Sequence, residues 1–169
     1  MPASDPFALD EAQIVEIYDC MKDAMVEAYT AGDNEVAAVY RDWTVTSTRP
    51  AVAGPHGARI LQTFANDVAA DQYLEFASDG FEMPAGSVLA KESLAITDKA
   101  TVRVGPLFIM TKVAPGEAEE FDDWVYSAVQ PNGKPMGIQQ SFCHDCHAAF
   151  PDQDSLGYPL EEVRVGSGG

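Results

Sequence analysis

Ser87-Val88-Leu89-Ala90-Lys91-Glu92-Ser93-Leu94-Ala95-Ile96 is the stretch that decides the fold class. It follows the turn-forming Pro84-Ala85-Gly86 and gives way to Asp98-Lys99. Thr101-Val102-Arg103-Val104 comes next, Gly105-Pro106 breaks it, and Leu107 to Val113 resumes as a long apolar run. Segments rich in β-branched and aromatic residues, punctuated by Gly, Pro and Asp, read as strands. Connections this short join antiparallel neighbours, because a parallel return needs a long crossover.

Working outward, Trp124 to Val129 is a further strand closed by Pro131-Asn132-Gly133, and Arg59 to Ala65 is one upstream, with Ile60, Thr63 and Phe64 as β-formers. Thr44 to Thr48 is β-prone but stops at Arg49-Pro50, so it reads as a weak strand. Pro50 to Gly57 reads as a loop carrying His56, and Gly116 to Asp123, with five acids, as a solvated loop. Three helices are expected before the C-terminal third. Asp10 and Gln13 form a capping box, Leu9 and Ile14 a staple, and Ile14, Ile17, Tyr18, Met21, Met25, Ala28 and Tyr29 recur at helical spacing until Gly32. A short helix over 35–43 and another from Asn66-Asp67 to Asp79-Gly80 follow. The expected fold class is α+β: a mostly antiparallel sheet, an N-terminal amphipathic helix and a short C-terminal helix.

The C-terminal helix carries the chemistry. Ser141-Phe142-Cys143-His144-Asp145-Cys146-His147 contains Cys-x-x-Cys-His, the attachment signature of c-type haem. Two thiols must reach two vinyl groups of one porphyrin, and the next histidine meets the iron. Cys143, Cys146 and His147 stand at i, i+3 and i+4, on one side of a helical turn. His144 and Asp145 point elsewhere and need no haem role. With three Cys and three His in the chain, chance produces this arrangement about once in a thousand such sequences. A thioredoxin-like pair lacks its βαβ context, and a structural zinc lacks a second ligand pair. The expectation is one covalently attached heme c, with His147 as the metal ligand. Covalent attachment of this kind takes place outside the bacterial cytoplasm, so a periplasmic location with a removed leader is expected; Met1-Pro2-Ala3-Ser4-Asp5-Pro6 has no leader character. Gly166-Ser167-Gly168-Gly169 reads as a flexible end or an expression scar. Cys20 is left over as a free, partly buried thiol.

The 169 residues fit a single domain, 1–169, and no apolar run approaches a membrane span. A net charge of −17 argues against nucleic acid and anionic membranes as partners and permits steering toward a basic redox partner.

Beyond the motif, the chain resembles the cytochrome P-460 / cytochrome c′-beta family over about 35–165. The resemblance rests on Tyr40-Arg41-Asp42-Trp43, His56-Gly57-Ala58-Arg59, Phe64-Ala65-Asn66-Asp67, the stretch from Met83 to Lys91, Phe108 to Lys112, Asp123-Trp124-Val125-Tyr126 and Cys143 to His147. It implies a homodimeric, periplasmic, β-rich monohaem protein whose iron is held by the motif histidine. In the hydroxylamine-oxidising branch, the resemblance implies a lysine cross-linked to the porphyrin, expected on the helix Asp67 to Ala77, which contains none. Lys91 and Lys112 lie on strands from which they could approach the haem, and are expected instead to snorkel from a sheet edge or to pair with acids. In the c′-beta branch, a phenylalanine-lined distal face admits small gases such as nitric oxide. The expected function is therefore binding a small ligand or passing electrons. The alternatives are a hydroxylamine-oxidising or peroxide-reducing enzyme, and a six-coordinate electron-carrier subunit of a larger redox complex.

The residue opposite His147 decides among these. Met136, Met83 and Met110 are weak candidates, and His56 is the remaining histidine. Arg59 is expected to bind a haem propionate or to face the distal pocket. Phe64, with Phe76 and Phe81, is expected to supply the apolar wall, and Glu92 is the one carboxylate expected to act as a distal proton acceptor.

Overall fold

A computed structural model describes residues 4–166; Met1-Pro2-Ala3 and Ser167-Gly168-Gly169, to which part of the readings of the two termini applies, lie outside the described residues. Seven antiparallel strands form one sheet: β1 (Thr44–Val45), β2 (Ala51–Ala53), β3 (Arg59–Ala65), β4 (Val88–Ile96), β5 (Val102–Val104), β6 (Leu107–Lys112) and β7 (Trp124–Val129). The path runs β1-β3-β4-β6-β7, with β2 also on β3 and β5 also on β4. The α+β expectation is met. β2 was hidden in the expected Pro50–Gly57 loop; it pairs Val52 with Ile60.

Helix α1 (Glu11–Tyr29) starts at the Asp10–Gln13 capping box, where each side chain satisfies the other's backbone N–H. It lays Ile14, Met25 and Tyr29 on one face of the sheet, against Ile60, Phe64, Leu94, Leu107 and Ile109. Helix α2 (Glu35–Val39), capped by Asn34, runs into a 3₁₀ turn at Tyr40–Asp42 and closes that layer. Helix α3 (Pro55–Ala58) is a single distorted turn. Helix α4 (Asp67–Tyr73) is shorter than expected, because the chain leaves the helical region and Phe76 turns left-handed with φ 46°. Helix α5 (Gln140–His147) is followed by Pro151–Gln153, again 3₁₀. A second apolar cluster lies under α4 and α5, built on Tyr73, Met83, Leu89, Trp124, Tyr126 and Leu156. Among the described residues, no helix is long and apolar enough to cross a membrane. Cys20 is a free thiol but exposed, not half-buried as expected, because it lies on the solvent side of α1.

Candidate functional site

Strand alternation sorts the candidate residues between two faces of the sheet. Register places Lys91 opposite Thr63 and Phe108, and Glu92 opposite Gln62. Met110 pairs with Tyr126 and Lys112 with Trp124, on the same side as Lys91. Phe64, Ala90, Glu92 and Ile109 therefore belong to the face covered by α1, whereas Lys91, Phe108, Met110, Lys112, Trp124 and Tyr126 belong to the face met by α5.

Helix α5 is fastened to β7 by Gln140, whose amide accepts from Tyr126 N and donates to Tyr126 O, both at 2.7 Å, as a neighbouring strand would. The Tyr126 hydroxyl lies 3.1 Å from His144 Nδ1. His144 thus packs on Tyr126 and Phe121 rather than pointing away. The Tyr126 ring also supports His147, with centroids 5.2 Å apart. Cys143 is half-buried against the second cluster, Cys146 is exposed, and both are free.

His147 Nδ1 stands 2.8 Å from the Ser155 carbonyl. A carbonyl only accepts, so Nδ1 carries the proton and Nε2 keeps its lone pair for a metal. The support behind that carbonyl is dense. Asp154 and Ser155 both adopt left-handed backbone, φ 50° and 59°. The Asp154 carboxylate takes two contacts from Lys112 Nζ, 2.9 and 3.0 Å, and one from Met83 N at 2.8 Å. Its carbonyl accepts from Trp124 Nε1 at 2.8 Å. Ser155 Oγ donates to Asp122 Oδ2 at 2.6 Å, and Lys112 also donates to the Asp122 carbonyl. The supposed solvated loop is therefore partly structural. Asp123 caps it by accepting from Gly116 and Ala118 N–H groups, and Asp122 supports the turn behind His147.

Across from His147 lies His56, with ring centroids 6.3 Å apart. His56 stacks on Phe108 at 4.5 Å, and the Arg59 guanidinium lies over the same ring. Arg59 Nη1 donates to the His56 carbonyl at 2.8 Å, and Arg59 Nε is buried with no partner. Burial lowers His56 to a pKa of about 3, helped by the charges of Lys91, His147 and Arg59. His147 is lowered too, mainly by burial; its bond to Ser155 opposes the shift, and Lys91 adds to it. Burial alone lowers Lys91 to about 8.

The structure thus brings Cys143, Cys146, His147, Arg59, His56 and Lys91 together. It does not bring Phe64 there: its ring meets Tyr40 edge-on at 5.3 Å, on the α1 face, because β3 alternation turns it away. Phe108 takes the place expected of Phe64. Glu92 is turned away for the same reason, and Met136 is 40% exposed. Phe76 stacks edge-on against Tyr73 and Tyr158, and Phe81 belongs to the second cluster; Met83 is buried in that cluster. Lys112 pairs with acids as expected. Lys91 does not snorkel to an edge; it faces both histidines. A lysine does reach this face, from β4 and not from the 67–77 helix, and strand alternation from Phe108 was the signal available for its placement.

Lys91 gives a testable stability effect in the haem-free chain. Its ammonium is held to a pH of about 8 in the folded state and to the ordinary 10.5 in the unfolded one. Between these values the unfolded chain carries more protons, so stability rises with pH across that window. Urea unfolding should show Lys91→Met more stable than wild type at pH 7, by no more than about 3 kcal/mol, with the gap closing above the ordinary lysine pKa.

The donor set suits a porphyrin better than a bare ion. Among the described residues, no cluster of three or more His, Cys, Asp or Glu could hold a metal alone. Two free thiols and one imidazole on a single helix face, together with a buried guanidinium nitrogen that has no partner, are groups that fit a haem protein built on an antiparallel sheet. The model of the family described as Cytochrome P460 matches residues 37–156, and the chain belongs to that family. The match is somewhat shorter at both ends than the 35–165 resemblance, and the family implies a haem cofactor. No curated protein matches the chain.

Proposed function

We propose that this chain is a periplasmic c-type monohaem protein that passes single electrons and takes a small ligand, such as nitric oxide, at its iron. The supporting observation is His147, its Nδ1 fixed on the Ser155 carbonyl and its Nε2 left for iron. Cys143 and Cys146 hold the haem: each thiol adds across a vinyl group, Sγ bonding to one vinyl carbon while the thiol proton ends on the other. Arg59 Nε meets a propionate, and Phe108 supplies the apolar wall. The net charge of −17 suits a basic electron partner, and the chain works as a homodimer. The test is export with haem-attachment machinery followed by intact mass. The wild type should carry one haem through denaturation, and Cys143→Ser/Cys146→Ser should carry none. A wild type without covalent haem overturns the reading.

Hydroxylamine oxidation is a second reading favoured by one observation, the buried Lys91 amine beside His147. The family's oxidising branch has a lysine–porphyrin bond. A red-shifted ferrous Soret band lost in Lys91→Met supports this reading; an ordinary c-type spectrum sinks it.

A further inference from the structure

We infer that His56 is the second axial ligand of the iron, so that the resting haem is six-coordinate between two imidazoles. The inference rests on the proposed attachment at Cys143 and Cys146. An imidazole nitrogen binds a transition metal at about 2 Å, and two imidazoles on opposite sides of one ion place their ring centroids about 6 Å apart. His56 and His147 are 6.3 Å apart. No other pair of histidine rings in the described residues has this relation: His144 is engaged by Tyr126 and by Asp122.

The state of His56 suits a ligand. Only a neutral imidazole has a lone pair to give, and no hydrogen bond to either ring nitrogen of His56 occurs among the described residues. Its ring is held from the side by Phe108 and from behind by the Arg59 bond to its own carbonyl. The backbone is committed to this placement. His56, Gly57 and Ala58 are all left-handed, with φ of 65°, 82° and 53°. A left-handed histidine and alanine are both strained and persist only where the surroundings dictate them. A free surface loop would relax. The Pro55–Ala58 turn instead holds one imidazole with its ring centroid 6.3 Å from that of His147.

The consequence is a division of labour at the iron. Electron transfer proceeds with both imidazoles in place, and a small ligand enters only by displacing His56. Lys91, the other buried base in the pocket, is the rival ligand.

The test uses the haem-loaded protein. Electron paramagnetic resonance and optical spectra of the ferric wild type should show low-spin, bis-imidazole iron. His56→Gly should lose that signal completely, become high-spin and bind carbon monoxide in the ferrous state far faster, and added imidazole should restore the low-spin spectrum. A wild type that carries covalent haem but is high-spin overturns the inference and leaves the attachment reading intact. A low-spin signal that survives in His56→Gly and disappears in Lys91→Met assigns the iron to Lys91 and overturns it equally. If His56→Gly fails to fold, the wild-type spin state and its magnetic signature decide alone. Absence of covalent haem is a failure of the earlier reading, and mass spectrometry tells the two apart.

Discussion

Lys112→Met should destabilise the protein by about 3–5 kcal/mol, because it leaves a buried carboxylate without its cation. Lys112 is 4% exposed and the Asp154 side chain 8%, so water can replace little of what is lost. Burial already raises the Asp154 pKa, against the pull of Lys112 and of the Met83 N–H. Without the ammonium, Asp154 takes up a proton more readily still or swings outward. Either response releases the left-handed turn at Asp154 and Ser155. Glu82, 3.7 Å from Lys112 but 68% exposed, contributes little to the loss. Lys112 also covers Trp124 at 5.3 Å, a contact that methionine partly keeps. Denaturant unfolding measures the effect. Lys112→Met/Asp154→Leu should recover a large part of it, since removing both charges leaves no buried orphan. A double variant as unstable as the single one would show that the cation's value lies elsewhere.

The same substitution should be visible at the iron. His147 depends on the Ser155 carbonyl for its tautomer, and that carbonyl depends on the turn that Lys112 holds. A bond from the other ring nitrogen to a carbonyl raises the basicity of a ligating imidazole and fixes its orientation. In a His56→Gly background, where His147 would be the one imidazole on the iron, the ferrous iron–histidine stretching frequency should therefore fall when Lys112→Met is added and the protein stays folded. A purely structural ion pair would leave that frequency unchanged.

Much of this arrangement was legible in the sequence, and the rest was not for identifiable reasons. The strands from Ser87 to Val113 declared themselves through turn residues, and Asp10 with Gln13 declared the start of α1. Local chemistry sets these features, so a local reading finds them. Strand β2 was missed because Ala51-Val52-Ala53 has weak β-propensity of its own and is ordered by pairing with β3. The face of the sheet on which each residue lies was legible in relative terms: Lys91 and Glu92 must oppose one another. Which face α5 meets was not, since it depends on where Gln140 fastens α5 to β7, a contact between distant elements. Assigning Phe64 and Glu92 to the pocket and Lys91 to the solvent was one error of face, made twice. His56 looked like a loop residue because nothing near it in sequence shows that β6 brings Phe108 beneath it.

Glu92→Leu should cost about 3 kcal/mol or more and leave the haem spectrum unchanged, and together these outcomes test the face assignment. Glu92 is 1% exposed between α1 and the sheet. It accepts hydrogen bonds from the Tyr18 hydroxyl and, at 2.6 Å, from the Tyr40 hydroxyl. Arg41 Nε stands 2.8 Å from it, close enough for an ion pair but outside hydrogen-bond alignment, so the tyrosines are the directional partners. Leucine leaves two hydroxyls with no acceptor and a half-buried guanidinium without its counter-charge, held only by its bond to the Lys22 carbonyl. Glutamine keeps an acceptor for Tyr40, so Glu92→Gln should cost about 1–2 kcal/mol. Burial raises the Glu92 pKa against the two tyrosine donors and the Arg41 charge. Just above the ordinary carboxylate range, the folded state then binds more protons than the unfolded one, and stability declines as pH rises through the folded pKa. Glu92→Gln should flatten that part of the profile. If Glu92 served the iron as a distal proton acceptor, the glutamine variant would instead change the pH dependence of the Soret band while stability stayed nearly constant. Lys91, one residue away on the opposite face, should behave in reverse: its replacement by methionine removes a positive charge from beside His147 and, at pH 7, stabilises the haem-free chain. Two neighbours with opposite signatures are what a pleated strand between two different layers must produce.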